Sequence, residues 1–309
     1  MFQDRRTRTL LLATAVTVLA PATGFALDLN LSGSLGEGGH SHYVAPTSNP
    51  IFNETPYITT EIRPMWMHQE IPDGFLKVGP KGGGDVDVIA AQIRVAINDR
   101  LGFIATKDGW ADIDFDDETV LQDEDGFANL AFGLKYAFLS DPESNTLLTG
   151  GIRYEAPSGD LSSGGVSMQG GGDGLFDLFL TGARTYGEIG LQASLGAQIA
   201  IDGSHDTSFL HYSIHADYEV AERFYPLLEM NGYTPIDDGG RLPGAVTNAN
   251  GMDLVNLGAK SPDTILTIAP GFRFRVHKNV DLGTAFEVPM TDAEDLMDWR
   301  ITTDILVHM

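Results

Sequence analysis

Three groupings of side chains in this sequence have types and spacings that chemistry uses. His211-Tyr212-Ser213 sets an imidazole and a hydroxyl two residues apart, which on an extended strand puts both on one face as a potential base and nucleophile. Asp112-x-Asp114-x-Asp116 has the spacing of the first oxygen ligands of a calcium loop. His40 and His42 could give two nitrogens to a metal. Each grouping lacks a necessary companion. No Asn or Asp follows Ser213 at a spacing that would orient His211. Asp117 stands where the calcium loop needs its turn glycine, and Asp123 where it needs a bidentate Glu. The two histidines lie in a Gly-rich stretch without a third ligand and read as solvated. The sequence therefore predicts no catalytic residue, no resident metal and no cofactor. The acidic stretch 108–125 reads as a solvated loop, with at most a loose gathering of divalent cations.

The element that would position any of these groups is a long strand. In Gly187–Ile201 every second residue is apolar: Ile189, Leu191, Ala193, Leu195, Ala197, Ile199 and Ile201 alternate with small or polar residues. A tilted strand needs about 9 to 11 residues to cross a bilayer. One apolar face and one face of small polar side chains suits a transmembrane barrel, with lipid outside and a wet lumen inside.

The same alternation recurs along the chain. Strands are expected at Tyr57–Ile71, Val86–Ile97, from Leu101 through Lys107, Phe127–Ser140, Asn145–Glu155, Asp173–Ala183, Gly187–Ile201, Ser208–Val220, Phe224–Tyr233, Thr264–Val276, Asp281–Met290 and Trp299–Met309. Connections alternate between long and short, with one weak point at Asp202. Short turns at one end, long loops at the other and an even strand number are the pattern of outer-membrane barrels. The predicted fold is all-β: a transmembrane antiparallel up-and-down barrel of about 12 strands. Trp66, Trp299, Tyr136, Tyr154, Tyr212 and Tyr218 could supply interfacial girdles.

Residues 1–26 read as an export signal, with a basic start at Arg5, Arg6 and Arg8, an apolar core from Leu10 to Ala20 and small residues up to Ala26. Residues 27–55 are Gly-, Ser-, Asn- and Pro-rich and form an irregular segment, periplasmic or tucked into the lumen, and 56–309 form the barrel. The chain has 19 basic and 43 acidic side chains; without the signal 16 and 42 remain, a formal net charge of −26. So acidic a chain does not bind nucleic acid through phosphates. It has no cysteine. The inward positions carry mixed charge: Arg94, Lys135, Arg153, Glu155, Asp177, Glu188, His211, His215, Asp217, Glu219, Glu229, Arg273, Arg275, Glu287 and Arg300, joined by Glu61, Arg63 and Asp304. Bare charges in a narrow lumen are costly, so these are expected to pair in ladders around water, lining a selective path or closing the lumen.

The His-x-Ser pattern resembles that of outer-membrane phospholipase A, which acts on lipid from the outer face. Here Leu210, Tyr212 and Ile214 claim the lipid side and turn His211 and Ser213 inward, so the chain is not expected to be an enzyme. Part of the chain is similar to the outer-membrane barrels named for the MetA pathway of phenol degradation. The similarity rests on Gly126-Phe127-Ala128-Asn129, then Gly133, Lys135 and Tyr136, then Glu155-Ala156-Pro157-Ser158-Gly159-Asp160, with Glu229 before Asn231-Gly232 and Pro270-Gly271. Asn129 takes a place where that family usually has an acid. This resemblance spans about residues 55–309 and implies a barrel for passage of small, hydrophobic or aromatic solutes.

The expected function is an outer-membrane channel or transporter for small solutes, surrounded by lipid and lipopolysaccharide and placed by the barrel insertion machinery. The alternatives are a non-conducting structural or adhesive barrel with acidic surface loops, and a soluble secreted barrel with its apolar faces turned inward.

Overall fold

The computed structural model describes residues 29–309 apart from 78, 80, 81, 243–245, 248, 252, 260–262 and 293. The export-signal reading falls on residues outside those described. Twelve antiparallel barrel strands follow in order. They are β1 (Glu61–Ile71), β2 (Gly84–Ala96), β3 in two pieces (Leu101–Lys107 and Trp110–Phe115), β4 in two pieces (Glu124–Phe127 and Leu130–Asp141), β5 (Thr146–Ala156) and β6 (Leu175–Tyr186). The second half comprises β7 (Ile189–Ala200), β8 (Ser208–Tyr218), β9 (Phe224–Asp237), β10 (Ile265–His277), β11 (Val280–Pro289) and β12 (Trp299–His308). Each pairs with its sequence neighbour, and β12 returns to β1 from Glu61↔His308 to Glu70↔Trp299, which closes the barrel. Closure leaves no free sheet edge, the condition for carrying strands through lipid.

Connections at one end are short (97–100, 142–145, 187–188, 219–223, 278–279). At the other they are mostly long (72–83, 116–123, 157–174, 238–264, 290–298), with 201–207 the shortest. We refer to these as the turn end and the loop end. Lipid-facing positions carry exposed Ile93, Leu134, Leu178, Leu195, Ile214, Phe274 and Ile305. Toward the loop end, Trp66 stacks on His68, Phe286 on Trp299, and Trp110 meets Phe127 edge-on. These bulky amphipathic or aromatic rings sit where an apolar belt would end.

Two strand assignments differ from the sequence expectation. The first strand begins at Glu61; Tyr57 and Ile58 are fully buried in the segment that precedes it, so Ile58 does not face lipid. The stretch 108–125 is not one loop, because Trp110–Phe115 and Glu124–Phe127 are strand and pair with each other. Ala111, Ile113 and Phe115 turn inward while Asp112 and Asp114 turn outward. That is ordinary period-two alternation, disguised by the density of acids. The calcium-like spacing therefore belongs to an extended strand and its exit, not to a wrapping loop. β3 breaks at Asp108-Gly109, where Gly109 has φ +119° and a Cβ would come 2.7 Å from the Ile89 carbonyl oxygen, so only glycine fits.

Candidate functional site: a plugged lumen beneath an apolar chamber

Residues 29–42 sit at the turn end, where Leu29 and Leu31 are exposed, and residues 43–60 run inside the barrel. They enter at the turn end, rise to an apex at 50–53 and descend to β1. The wall strands spend their own N–H groups on one another, so the carbonyls of this plug need other donors. Inward side chains supply them at successive heights. Arg275 donates to Tyr43 O, Gln192 to Val44 O, Arg273 to Ala45 O and Pro46 O, and Arg63 to Thr47 O. At the apex Gln92 donates to Pro50 O, Arg153 to Ile51 O and Ser194 to Phe52 O. On the way down Thr181 donates to Glu54 O, Lys135 to Thr55 O and Thr149 to Pro56 O. In return Glu229 accepts from the N–H groups of Thr47 and Ser48. Small apolar clusters fill the remaining gaps, among them Phe52 with Phe209, Tyr233 and Ile265.

The charges pair across the lumen. Arg94 grips Glu54 with Nε at 2.9 Å and Nη2 at 2.7 Å, and Lys135 Nζ lies 2.8 Å from the same carboxylate. Burial opposes ionisation of Glu54, but Arg94 and Lys135 outweigh it and hold this carboxyl well below the usual carboxylate range. Asp304 bridges Arg63 and Arg273. Asp177 bridges Arg153 and His211. His215 lies between Glu229 and Asp217, and Asp217 also meets His42 of the plug at 2.7 Å. Glu155 takes Lys107 at 2.7 Å and amides of Asn129 and Gln198. Arg300 joins Glu287 and Asp253, and Arg275 joins Asp281.

Most of the inward positions read from the sequence thus lie in the lumen, arranged around a polypeptide plug. Glu188 does not. It is exposed in the Gly187-Glu188 turn, because Gly187 with φ +64° ends the strand alternation one residue before the sequence pattern does. Glu219 is half-buried at the turn end, close to Tyr225 and Arg275. His211 and Ser213 do not form a base–nucleophile pair: His211 Nε2 faces Asp177 and Ser213 Oγ accepts from Asn49. His40 is not solvated but lies between Asn145 at 2.9 Å and Ser140 at 3.0 Å. Burial holds its imidazole below the usual range, against the Asn145 bond and the Asp141 charge.

Above the apex the interior changes character. Met67, Ile71, Phe75, Val86, Val88, Ala111, Ile113, Phe115, Leu161, Met168, Val255, Leu257 and Leu296 form one apolar cluster. All of these but Leu257 line a cavity of about 60 Å³, floored by Pro50 and Ile51 of the plug together with Gln92 and Lys107. On the outer wall at this height, His68, Asp85 and Asp87 have possible cation-ligand atoms within 4.8 Å of one another. There Asp87 accepts from the Trp66 indole at 2.8 Å and faces His68 at 3.3 Å. Sequence reasoning missed Glu54 and Lys107. The one signal for Glu54 was an acid in an otherwise uncharged, proline-flanked segment.

No family model matches the sequence, and no curated protein matches it. Among solved structures the chain is similar to the NanC porin (5% identity, 81% of this chain and 99% of that one, TM-score 0.46). It is also similar to the translocator domain of the autotransporter NalP from Neisseria meningitidis (11% identity, 81% and 88%, TM-score 0.45). An outer membrane channel from Pseudomonas putida F1 matches at 10% identity over 86% of this chain and all of that one, TM-score 0.59, which establishes a shared outer-membrane barrel fold.

Proposed function

We propose that the protein is an outer-membrane channel, of the type named for the MetA pathway of phenol degradation, through which small apolar or aromatic solutes pass passively. The observation that carries this reading is the apolar chamber seated directly on the plug apex inside a barrel whose lower lumen is polar. A solute held there has left water without yet meeting the charges below. The cavity of about 60 Å³ is smaller than the roughly 150 Å³ void that takes up benzene, and its floor is the plug, so moving the apex enlarges it. In this reading residues 1–26 direct export, the turn end is periplasmic, lipid and lipopolysaccharide surround the belt, and the insertion machinery reads the last strand.

A second reading, a non-conducting structural or adhesive barrel, is favoured by the filled lumen. Planar-bilayer conductance decides between the two. The chain has no cysteine and the Asn49 and Ser213 side chains touch, so Asn49→Cys with Ser213→Cys, joined by a short thiol reagent that carries a reducible disulfide, can staple the plug to the wall. A channel gives steps with the staple reduced and fewer when it is intact. Folded protein that stays silent in both states sinks the channel reading.

A further inference from the structure

We infer that Arg94 and Lys135 form a carboxylate-binding seat which Glu54 occupies in the resting barrel, and that the solute opening the channel is an apolar monocarboxylate whose head group takes this seat. The inference rests on the channel reading and names the chemistry of its solute.

The seat is distinguished by who supplies its anion. The first five strands each turn a cation inward: Arg63, Arg94, Lys107, Lys135 and Arg153. Three of these find their acid on the wall: Arg63 on Asp304, Lys107 on Glu155 and Arg153 on Asp177. Lys135 does not. Among the described residues the carboxylate in ion-pair contact with it is Glu54, and its other partner, Thr55 O, also belongs to the plug. Arg94 turns its bidentate edge to Glu54 and reaches the wall acid Glu61 only with Nη1, at 3.1 Å. Both cations are buried. Withdrawing the plug therefore uncovers one ammonium without a wall partner beside a guanidinium fork shaped for a planar carboxylate. A solute carboxylate that enters as Glu54 leaves restores the charge balance, so plug release and solute binding favour each other.

The seat is also within reach of the chamber. Gln92, two residues from Arg94 on the same inward face of β2, lines the cavity, and its side-chain oxygen lies 3.3 Å from Arg94 Nη1. Pro50 and Ile51, which floor the cavity, lie a few residues from Glu54, so a body wedged into the chamber presses on the element that holds the seat. The apolar walls above and one paired cation site below select a ligand with an apolar body and one acidic head.

The test uses the refolded mature chain in planar bilayers at neutral pH. Octanoate and benzoate are compared with octanol, benzyl alcohol and acetate, and octanoate binding to the detergent-solubilised barrel is followed by calorimetry. The expected result is that octanoate or benzoate raises open probability severalfold while the neutral analogues and acetate do not. Lys135→Met should weaken octanoate binding at least tenfold, and Arg94→Lys, which keeps the charge and loses the fork, should give an intermediate loss. Heat-modifiable gel mobility identifies folded variants, and Arg94→Lys carries the test should Lys135→Met fail to fold. Equal responses to acid and alcohol, or to octanoate and acetate, overturn the inference, as does undiminished octanoate binding in a folded variant. Conductance with neutral solutes but no preference for acids removes the seat and leaves the channel standing. Silence in every solute, including in Glu54→Gln, removes the channel itself.

Discussion

From the turn end up to the chamber floor, β1, β2 and β5 turn Glu61, Arg63, Gln92, Arg94, Arg153 and Glu155 inward and apolar residues such as Ile62, Ile93 and Ile152 outward. Nearer the loop end, β1, β2 and the upper piece of β3 turn Met67, Ile71, Val86, Val88, Ala111 and Ile113 inward and Asp85, Asp87, Asp112 and Asp114 outward. Along β1 and β2 the period of two runs on through this change; the chemistry assigned to its two faces exchanges. On β2 the exchange falls between Ile89, which is 68% exposed, and Asp87. In lipid the outer face must be apolar and the polar residues must satisfy one another inside. In water the ordinary rule returns, with apolar residues inside and acids outside. One strand obeys both rules in turn, and the two interiors differ in what a substitution costs.

The largest effect is expected in the lower interior. Arg94→Met leaves Glu54 with Lys135 alone and Glu61 without its Nη1 partner, and the loss of one member of a buried ionic set costs about 3–5 kcal/mol. Urea unfolding followed by tryptophan fluorescence measures this; a loss under about 1 kcal/mol would mean that water already screens these charges. In the upper interior Ile113→Ala removes a buried side chain of the apolar cluster and should cost about 3 kcal/mol in the same assay. It should also widen the chamber and tighten binding of larger apolar solutes, and an unchanged preference would separate the chamber from the path. A third experiment compares the two outer faces: Leu134→Arg in the belt should cost about 2 kcal/mol, whereas Asp112→Arg near the loop end should cost no more than about 0.5 kcal/mol. Equal costs would show that the polarity exchange does not mark the edge of lipid.

The smallest effect concerns pH. His40 is held in its neutral form, so the unfolded segment binds the proton more readily than the folded one. The stability it contributes is full above its ordinary value near 6.5 and is lost progressively as pH falls below that. Protection factors over 34–45, with exchange corrected for the slower intrinsic rate at acid pH, should be lower at pH 5.5 than at pH 7.5, and His40→Gln should flatten the difference; protection that is the same at both pH values contradicts this clasp.

The sequence carried the barrel where lipid imposes the pattern. Gly187–Ile201 and Ser208–Val220 were legible because their two faces meet opposite solvents along the whole strand. Trp110–Phe115 was illegible for a local reason. Its outward acids look like loop chemistry, and its inward Ala111, Ile113 and Phe115 are too few to show a period among so many charges. The plug was illegible for a non-local one. Nothing near Glu54 announces Arg94 or Lys135, which lie 40 and 81 residues further along the chain. Period-two reading also carried Glu188 inward past the glycine that ends the pattern.

Pro46, Pro50 and Pro56 divide the part of the plug around its apex, 46–56, into runs of three and five residues, none of which offers an unbroken row of N–H groups to a neighbouring edge. During assembly β1 and β12 each expose an edge until they find one another, and an extended, proline-free leader so close to β1 would be a ready decoy. The prolines disqualify it as a thirteenth strand. The segment that fills the lumen is thus barred from the seam, and the barrel can zip shut in one register with its stopper already inside.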